Sequence, residues 1–193
     1  FGTPRANMTV GFLTPNGLLG AADRAQAWLY QRLVNDALSA TIYPAYLAGL
    51  GYSIDVADSG FAISVSGYQD KQMALLDTVA EKLLNAEIST DRFITIKASL
   101  IKDWRNSRKD KPYEQALGAL NDTLLSASWS ADTLADALEP ITVEGLLQWR
   151  FDQFQDVGVI AALHGNVTAS EAEQLHRFIN ETIKPKSVVR QRT

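Results

Sequence analysis

The sequence predicts an α+β fold: a two-layer sandwich in which a mainly antiparallel sheet has its helices packed on one side. Two short runs of alternating apolar and polar residues, 52–56 and 61–65, flank a turn signal and predict a β-hairpin. Apolar residues at three- and four-residue steps predict one long helix from residue 21 to about 47. Further helical patterns precede a last strand and helix. The predicted order is therefore β-α-β-β-α, several helices, then β-α.

Composition limits what the chain can do. Its 193 residues suffice for one good-sized domain, and the 46% hydrophobic and 21% charged content is that of a folded, soluble protein. A formal net charge of -4 provides no basic field, which argues against nucleic acid or an anionic membrane as a main partner. With no cysteine, disulfides, thiolate zinc sites and cysteine nucleophiles are excluded. The sequence leaves periplasm and cytoplasm open.

Both ends of the chain indicate a domain taken from a longer polypeptide. The sequence starts on Phe1 without an initiator methionine, and no apolar run approaches the ~18 residues that would cross a bilayer. The last residues are basic with a short β-like core. We therefore predict a single domain over residues 1–185, and in residues 186–193 a linker or the start of the following domain.

The hairpin pattern assigns two faces to the sheet. Because side chains alternate across a strand, Ile54 and Ile63 are predicted to lie in the core. The opposite face, turned toward water or a cavity, carries Ser53, Asp55, Ser64 and Ser66.

The remaining elements follow from periodicity and capping signals. Strands are predicted at 7–13 and, as a fully buried central strand, at 157–163. Apolar stripes predict helices over 73–83, 93–104, 113–124, 130–138 and 143–154. Thr168 and Glu171 have the spacing of a capping box, which opens a last helix through residue 183.

Candidate catalytic residues are few. His164 follows the predicted last strand, and a hydrogen-bonded structural histidine is favoured there over a catalytic base. Glu173 and His176 form one Glu-x-x-His pair, but a carboxylate-bridged metal site needs a second pair, so a solvated helix face is favoured. Neither Ser59 nor Ser66 lies in the G-x-S-x-G turn of a serine hydrolase.

One basic segment, residues 97–111, stands out from the acidic chain. It is either a surface for an acidic partner or substrate terminus, or the solvated side of a helix, and the second interpretation is favoured. Its cationic residues are Lys97, Lys102, Arg105, Arg108, Lys109 and Lys111.

Three blocks of sequence carry a family resemblance. They are residues 43–54 (YPAYLAGLGYSI), 67–72 (GYQDKQ) and 163–168 (LHGNVT). In order and spacing they resemble the third of the four homologous domains in the insulin-degrading enzyme and pitrilysin family of zinc metallopeptidases. The resemblance covers essentially the whole chain and agrees with the predicted order of elements.

The resemblance implies a large peptidase whose two halves, each of two such domains, close around a chamber. In that family the zinc motif H-x-x-E-H lies in the first domain, and the third domain carries no metal ligand. The long first helix here agrees with this, since it offers Trp28, Gln31, Arg32 and Asp36 and no histidine. No catalytic, cofactor-binding or metal-ligating residue of the family is therefore carried over to this chain.

The function we expect is that of a non-catalytic chamber-wall domain in a zinc endopeptidase that degrades or processes peptides. Zinc would be bound by another domain, and the chain alone would be inactive. Its partners would be the other domains of the polypeptide and peptide substrates, with Ser53, Asp55, Ser64 and Ser66 as possible chamber-facing residues. The isolated chain could self-associate through apolar patches near Trp129 or Trp149. The alternative is a subunit-like structural scaffold of the same fold in an assembly that is not a protease.

Overall fold

The computed structural model describes residues 5–68, 71–107, 128–184 and 187–188, together with residues 113, 116 and 120. The described strands are β1 (Arg5–Leu13), β2 (Gly51–Ala57), β3 (Gly60–Tyr68), β4 (Gly158–Gly165) and β5 (Ser187–Val188). The described helices are α1 (Ala21–Leu47), α2 (Gln72–Asn85), α3 (Thr90–Asn106), α4 (Ala131–Leu138), α5 (Val143–Phe154) and α6 (Ala169–Phe178), which continues into a π-helical turn (Ile179–Ile183). Most of the helix predicted over 113–124 lies outside the described residues. Within them, no helix is long and apolar enough to span a membrane.

The strands form one sheet in the order β2-β3-β1-β4-β5. All pairings are antiparallel except the short one between β4 and β5. The register places Ile54 opposite Ile63, and Ile63 opposite Val10. This architecture confirms the predicted α+β fold with a mainly antiparallel sheet.

One face of the sheet is buried beneath the helices. Val10, Phe61 and Ile63 are at most 2% exposed and belong to one hydrophobic core with residues of α1, α2 and the later helices. Tyr30 of α1 lies at the centre of this core, with its ring 6.2 Å from Phe61 in edge-on geometry. Burial of these large rings contributes to the apolar area that stabilises the domain.

Trp149 belongs to this core, so the expectation that it lies in an exposed apolar patch is wrong. Its side chain is 7% exposed and packs edge-on against Tyr30 and Phe61. The indole Nε1 donates a hydrogen bond to Asp23 Oδ1 at 3.0 Å, which satisfies its polar atom inside the fold. Trp129, the other expected patch residue, is 39% exposed.

The prediction of a fully buried strand at 157–163 is also wrong. Val157 and Val159 are buried, but Ala161 and Ala162 are exposed. β4 pairs along its length with β1, whereas β5 pairs only with Gly158 and Val159. The strand therefore lies close to an edge of the sheet, and an apolar run of small residues does not require burial on both faces.

The last helix begins as predicted, since Thr168 and Glu171 form a complete capping box. After the π-helical turn, Lys184 adopts a left-handed conformation with φ of 52°. Ser187 and Val188 then pair in parallel with the start of β4. The boundary placed after residue 185 stays a prediction.

Candidate functional site

The face of the sheet opposite the helices carries the four residues expected to face a chamber. Ser53, Asp55 and Ser66 are exposed, and Ser64 is half-buried. Ser53 Oγ donates to Asp55 Oδ2 at 2.9 Å, and the hydroxyl oxygens of Ser64 and Thr9 lie 3.1 Å apart. The predicted division of the hairpin into core and open faces is thus confirmed by burial, whereas a chamber opposite this face stays a prediction.

The strand register arranges the open face in rows of small side chains. One row crosses four strands through Ser53, Ser64, Thr9 and Ala162. The next row toward the start of β1 is formed by Gly51, Ser66, Asn7 and His164. Because directly paired residues share a face, these rows form one continuous surface of mostly polar residues, here called the floor.

A cavity of about 750 Å³ opens at the end of this floor where β1 begins. Its polar lining comes from β1, β3, β4 and the loop after β4: Arg5, Asn7, Ser66, His164 and Asn166. Such side chains can donate or accept hydrogen bonds to a peptide backbone. The sequence did not predict the cavity, because its walls come from segments far apart in the chain.

Two glycines allow the walls of this cavity to approach one another. Gly67 has φ of 131°, and a Cβ there would lie 2.5 Å from the carbonyl oxygen of Gly49. Gly165 has φ of 107°, and its Cβ would lie 2.6 Å from the carbonyl oxygen of Arg5. Any other residue would be strained at both positions and would separate these backbones. Both glycines lie in the blocks that carry the family resemblance.

His164 is exposed on the cavity wall and makes no hydrogen bond to a described residue. The expected hydrogen-bonded structural histidine is therefore wrong, because its strand position turns the ring onto the open face. His176 lies on α6, where its ring nitrogens are 3.2 and 3.4 Å from Asn180 Nδ2. Glu173 and His176 are both exposed, as expected for a solvated helix face.

In α1, where the family resemblance implies the metal motif of a catalytic copy, the polar residues singled out from the sequence contact other parts of the domain. Gln31 Nε2 donates to the Ile54 carbonyl at 2.9 Å and fixes α1 to β2. Arg32 Nη1 donates to Asp103 Oδ2 at 2.9 Å. Trp28 is 37% exposed.

Asp36, the last of these positions, accepts a hydrogen bond from Arg92 Nε at 2.8 Å. The hydrogen bond from this guanidinium lowers the pKa of the Asp36 carboxyl. An arginine cation at position 32 cannot ligate zinc, and Asp36 is already paired, so these residues do not fit a zinc site. Within the part of the chain that the structure describes, no cluster of three or more histidine and acidic side chains could hold a metal ion.

The basic segment ties α3 to α4. Lys97 Nζ donates at 2.7 Å to the carbonyls of both Glu139 and Ile141, and burial lowers the pKa of its ammonium group. Arg105 is bonded to Glu139 at 3.0 Å and to Asp136, and these acceptors raise the pKa of its guanidinium. The acidic partners are therefore residues of the same domain. Arg108, Lys109 and Lys111 lie outside the described residues.

Comparison with known proteins identifies the family. Residues 1–137 match the family model described as the middle or third domain of peptidase M16. The chain is 31% identical, over 95% of its length, to insulin-degrading enzyme of Homo sapiens. It is 28% identical, over 98% of its length, to the peroxisomal insulin-degrading enzyme-like 1 of Arabidopsis thaliana.

The chain spans only 18% and 20% of these two relatives. A crystal structure of pitrilysin matches the fold with a TM-score of 0.85 at 20% identity, over 94% of this chain and 19% of that one. The resemblance carried by the three sequence blocks is thereby confirmed. The chain belongs to the peptidase M16 family, as a middle or third domain.

Proposed function

We propose that this chain is a non-catalytic wall domain of a zinc endopeptidase that acts on peptides. The observation that carries the proposal is the use of α1: Gln31, Arg32 and Asp36 bind β2 and α3 and leave no set of ligands for a metal. Together with the family match, this supports the proposal that another domain of a longer polypeptide holds the zinc and breaks the peptide bond.

The open face of the sheet is the surface proposed to line the chamber. The helix layer covers the other face of the sheet. The exposed rows that contain Ser53 and Ser66 are therefore where this domain can offer short polar side chains to a substrate. A floor made mostly of small side chains can accommodate many peptide sequences, because it contacts the peptide without favouring one substrate side chain over another. The cavity beside Asn7 and His164 extends this floor.

The alternative is a structural scaffold of the same fold in an assembly that cleaves nothing. The relatives named as insulin-degrading enzymes favour the peptidase. Both functions use the same fold, so they differ in whether substrate reaches the open face.

The test is to place a large side chain on the open face of the longer polypeptide. Ser66→Trp is expected to lower kcat/KM for a large peptide by about tenfold or more, equivalent to ~1.4 kcal/mol, because the indole occupies space meant for substrate. The effect on a short fluorogenic peptide should be smaller, because a short substrate occupies less of the floor.

Ser99→Trp is the matched control, since Ser99 is exposed on α3 in the helix layer. This control variant should keep kcat/KM for both peptides within about twofold of the wild-type value. Equal losses from the two variants, at equal stability in urea, would reject the chamber-facing assignment. Absence of any peptide cleavage by the zinc-loaded wild-type polypeptide would favour the scaffold.

A further inference from the structure

The end of α1 presents an apolar patch to solvent. Tyr43, Tyr46 and Leu47, here called the α1-end patch, are 62%, 71% and 70% exposed. Their spacing of three and four residues places them on one side of the last helical turn. Contiguous exposed apolar surface of this kind marks an interaction site.

Apolar character continues around the helix end. Residues 42–51 contain no charged side chain. Beside the patch lies a mainly apolar groove of about 250 Å³ between α1 and α2. Its lining includes Ile42, Pro44, Ala45, Leu50, Ala74 and Leu75, together with the polar Thr41, Lys71 and Thr78. A helix that is apolar all round is normally buried, whereas this turn is not buried by its own domain.

The patch is also held rigid. The Leu50 N–H donates to the Ala45 carbonyl at 3.0 Å, and the Gly49 N–H donates to the Tyr46 carbonyl at 3.0 Å. Gly49 takes the left-handed conformation, φ 79°, that closes a helix end of this type, and Leu50 is buried. A preorganised surface loses little conformational entropy when a partner binds.

We infer that the α1-end patch and its groove dock the domain that precedes this one in the longer polypeptide. This inference rests on the proposed function, in which the chain is a middle domain. A chain that enters this domain through β1 comes in beside the end of α1. Arg5, Ala6 and Gly49 line the same cavity.

The sheet register favours the preceding domain over the following one. Gly51, directly after the end of α1, pairs with Ser66, which pairs with Asn7, so the start of β1 is two strand spacings away, or about 10 Å. β5 lies four spacings from β2, or about 19 Å, and its described part ends at Val188, opposite Val159 and five residues of β4 short of His164. A partner whose chain leads into β1 is therefore held near the patch, which raises its effective concentration there.

Thiol labelling can test the inference cleanly, because the chain contains no cysteine. Tyr46→Cys and Leu47→Cys report on the patch. Ile94→Cys on α3, whose side chain is 58% exposed, is the matched control. Maleimide modification of each variant, read by peptide mass spectrometry, is compared in the isolated chain, the full polypeptide, and two truncations that retain either the preceding or the following part.

Modification of Tyr46→Cys and Leu47→Cys should slow by about tenfold in the full polypeptide and in the truncation that retains the preceding part, as expected if the docked state is populated about nine times in ten. Modification of Ile94→Cys should not change. The inference is overturned if the modification rate at the patch is the same in the full polypeptide as in the isolated chain. It is also overturned if the truncation that retains only the following part protects the patch, or if protection appears in the isolated chain and rises with its concentration. Peptide cleavage without patch protection rejects only the docking. Protection without cleavage rejects only the peptidase function.

Discussion

Tyr30 shows how a single polar atom is accommodated in the core. Its hydroxyl donates a 2.6 Å hydrogen bond to the Leu83 carbonyl, which ties α1 to α2 where no solvent reaches. Burial raises the pKa of Tyr30 to about 12, against a smaller opposing effect of the Arg150 guanidinium.

This shift predicts a loss of stability at alkaline pH. Because the folded-state pKa exceeds the unfolded value of about 10, the contribution is fully present below pH 10 and is lost as pH rises toward 12, by about 2 to 3 kcal/mol in total. Tyr30→Phe should cost about 1 kcal/mol at pH 8 and should lack this loss. Urea unfolding of the wild-type chain and of Tyr30→Phe, from about pH 8 to 11, measures this loss of stability. A difference in unfolding free energy between the two proteins that stays constant with pH would contradict this account.

Ile63 and Ser64 are neighbours on opposite faces of the sheet. Ile63 is fully buried, so Ile63→Ala should cost about 2 to 5 kcal/mol. Ser64 loses only a partly exposed hydrogen bond to Thr9, so Ser64→Ala should cost about 1 kcal/mol at most. Equal costs in a urea titration would show that the faces are wrongly assigned.

Residue positions within strands were predictable from alternation, but positions within helices were less so. Ile54 and Ile63 are buried as the pattern predicts. Trp149 was placed at the surface because helical spacing alone does not show which helix face meets the aromatic cluster around Tyr30. The hydrogen-bonded environment predicted for His164 is wrong for a similar reason. The surroundings of His164 depend on its pairing with β1, which is far from it in sequence.

At the scale of elements, α3 and α4 are joined by the basic segment. Lys97 supplies two hydrogen bonds to backbone carbonyls that follow α4, and Arg105 supplies ion pairs to acidic side chains of α4 and beyond. A partly buried charged group that donates to carbonyl acceptors contributes more to stability than an exposed ion pair does.

Lys97→Met should therefore destabilise the chain by about 1 to 2 kcal/mol, because the Glu139 and Ile141 carbonyls lose their donor. Lys102 is exposed on the same helix, and Lys102→Met should cost less than about 0.5 kcal/mol. Chemical denaturation of the two variants gives the comparison. If Lys102→Met proves the more costly, the assigned role of the basic segment is wrong.

The elements themselves were largely predictable from the sequence, but their arrangement was not. α1 and the hairpin follow from apolar periods of 3.6 and 2, and α6 from its capping box. The sheet order depends on β1 pairing with both β3 and β4, and no local pattern encodes such distant partners. For the same reason, the exposure of β4 and the cavity beside Gly165 were not foreseen.

At the scale of the whole molecule, one face of the sheet is buried in the domain's own core and the other is exposed. Tyr30 lies in the core between the sheet and the helices, whereas the open face and the α1-end patch are exposed. The chain spans about a fifth of its relatives. A wall domain shares peptide contacts with the rest of a chamber, so alone it retains only a fraction of them.

Peptide binding by the isolated chain tests this account most directly. A mid-sized unstructured peptide is titrated calorimetrically into the isolated chain and into the longer polypeptide in which the glutamate of the expected H-x-x-E-H motif is replaced by glutamine. We expect the isolated chain to bind at least about a hundredfold more weakly, a difference of ~2.7 kcal/mol, because most contacts and their intramolecular linkage are lost. Binding by the isolated chain within about tenfold of the longer polypeptide, or ~1.4 kcal/mol, would contradict the wall-domain account and indicate a self-contained peptide-binding module.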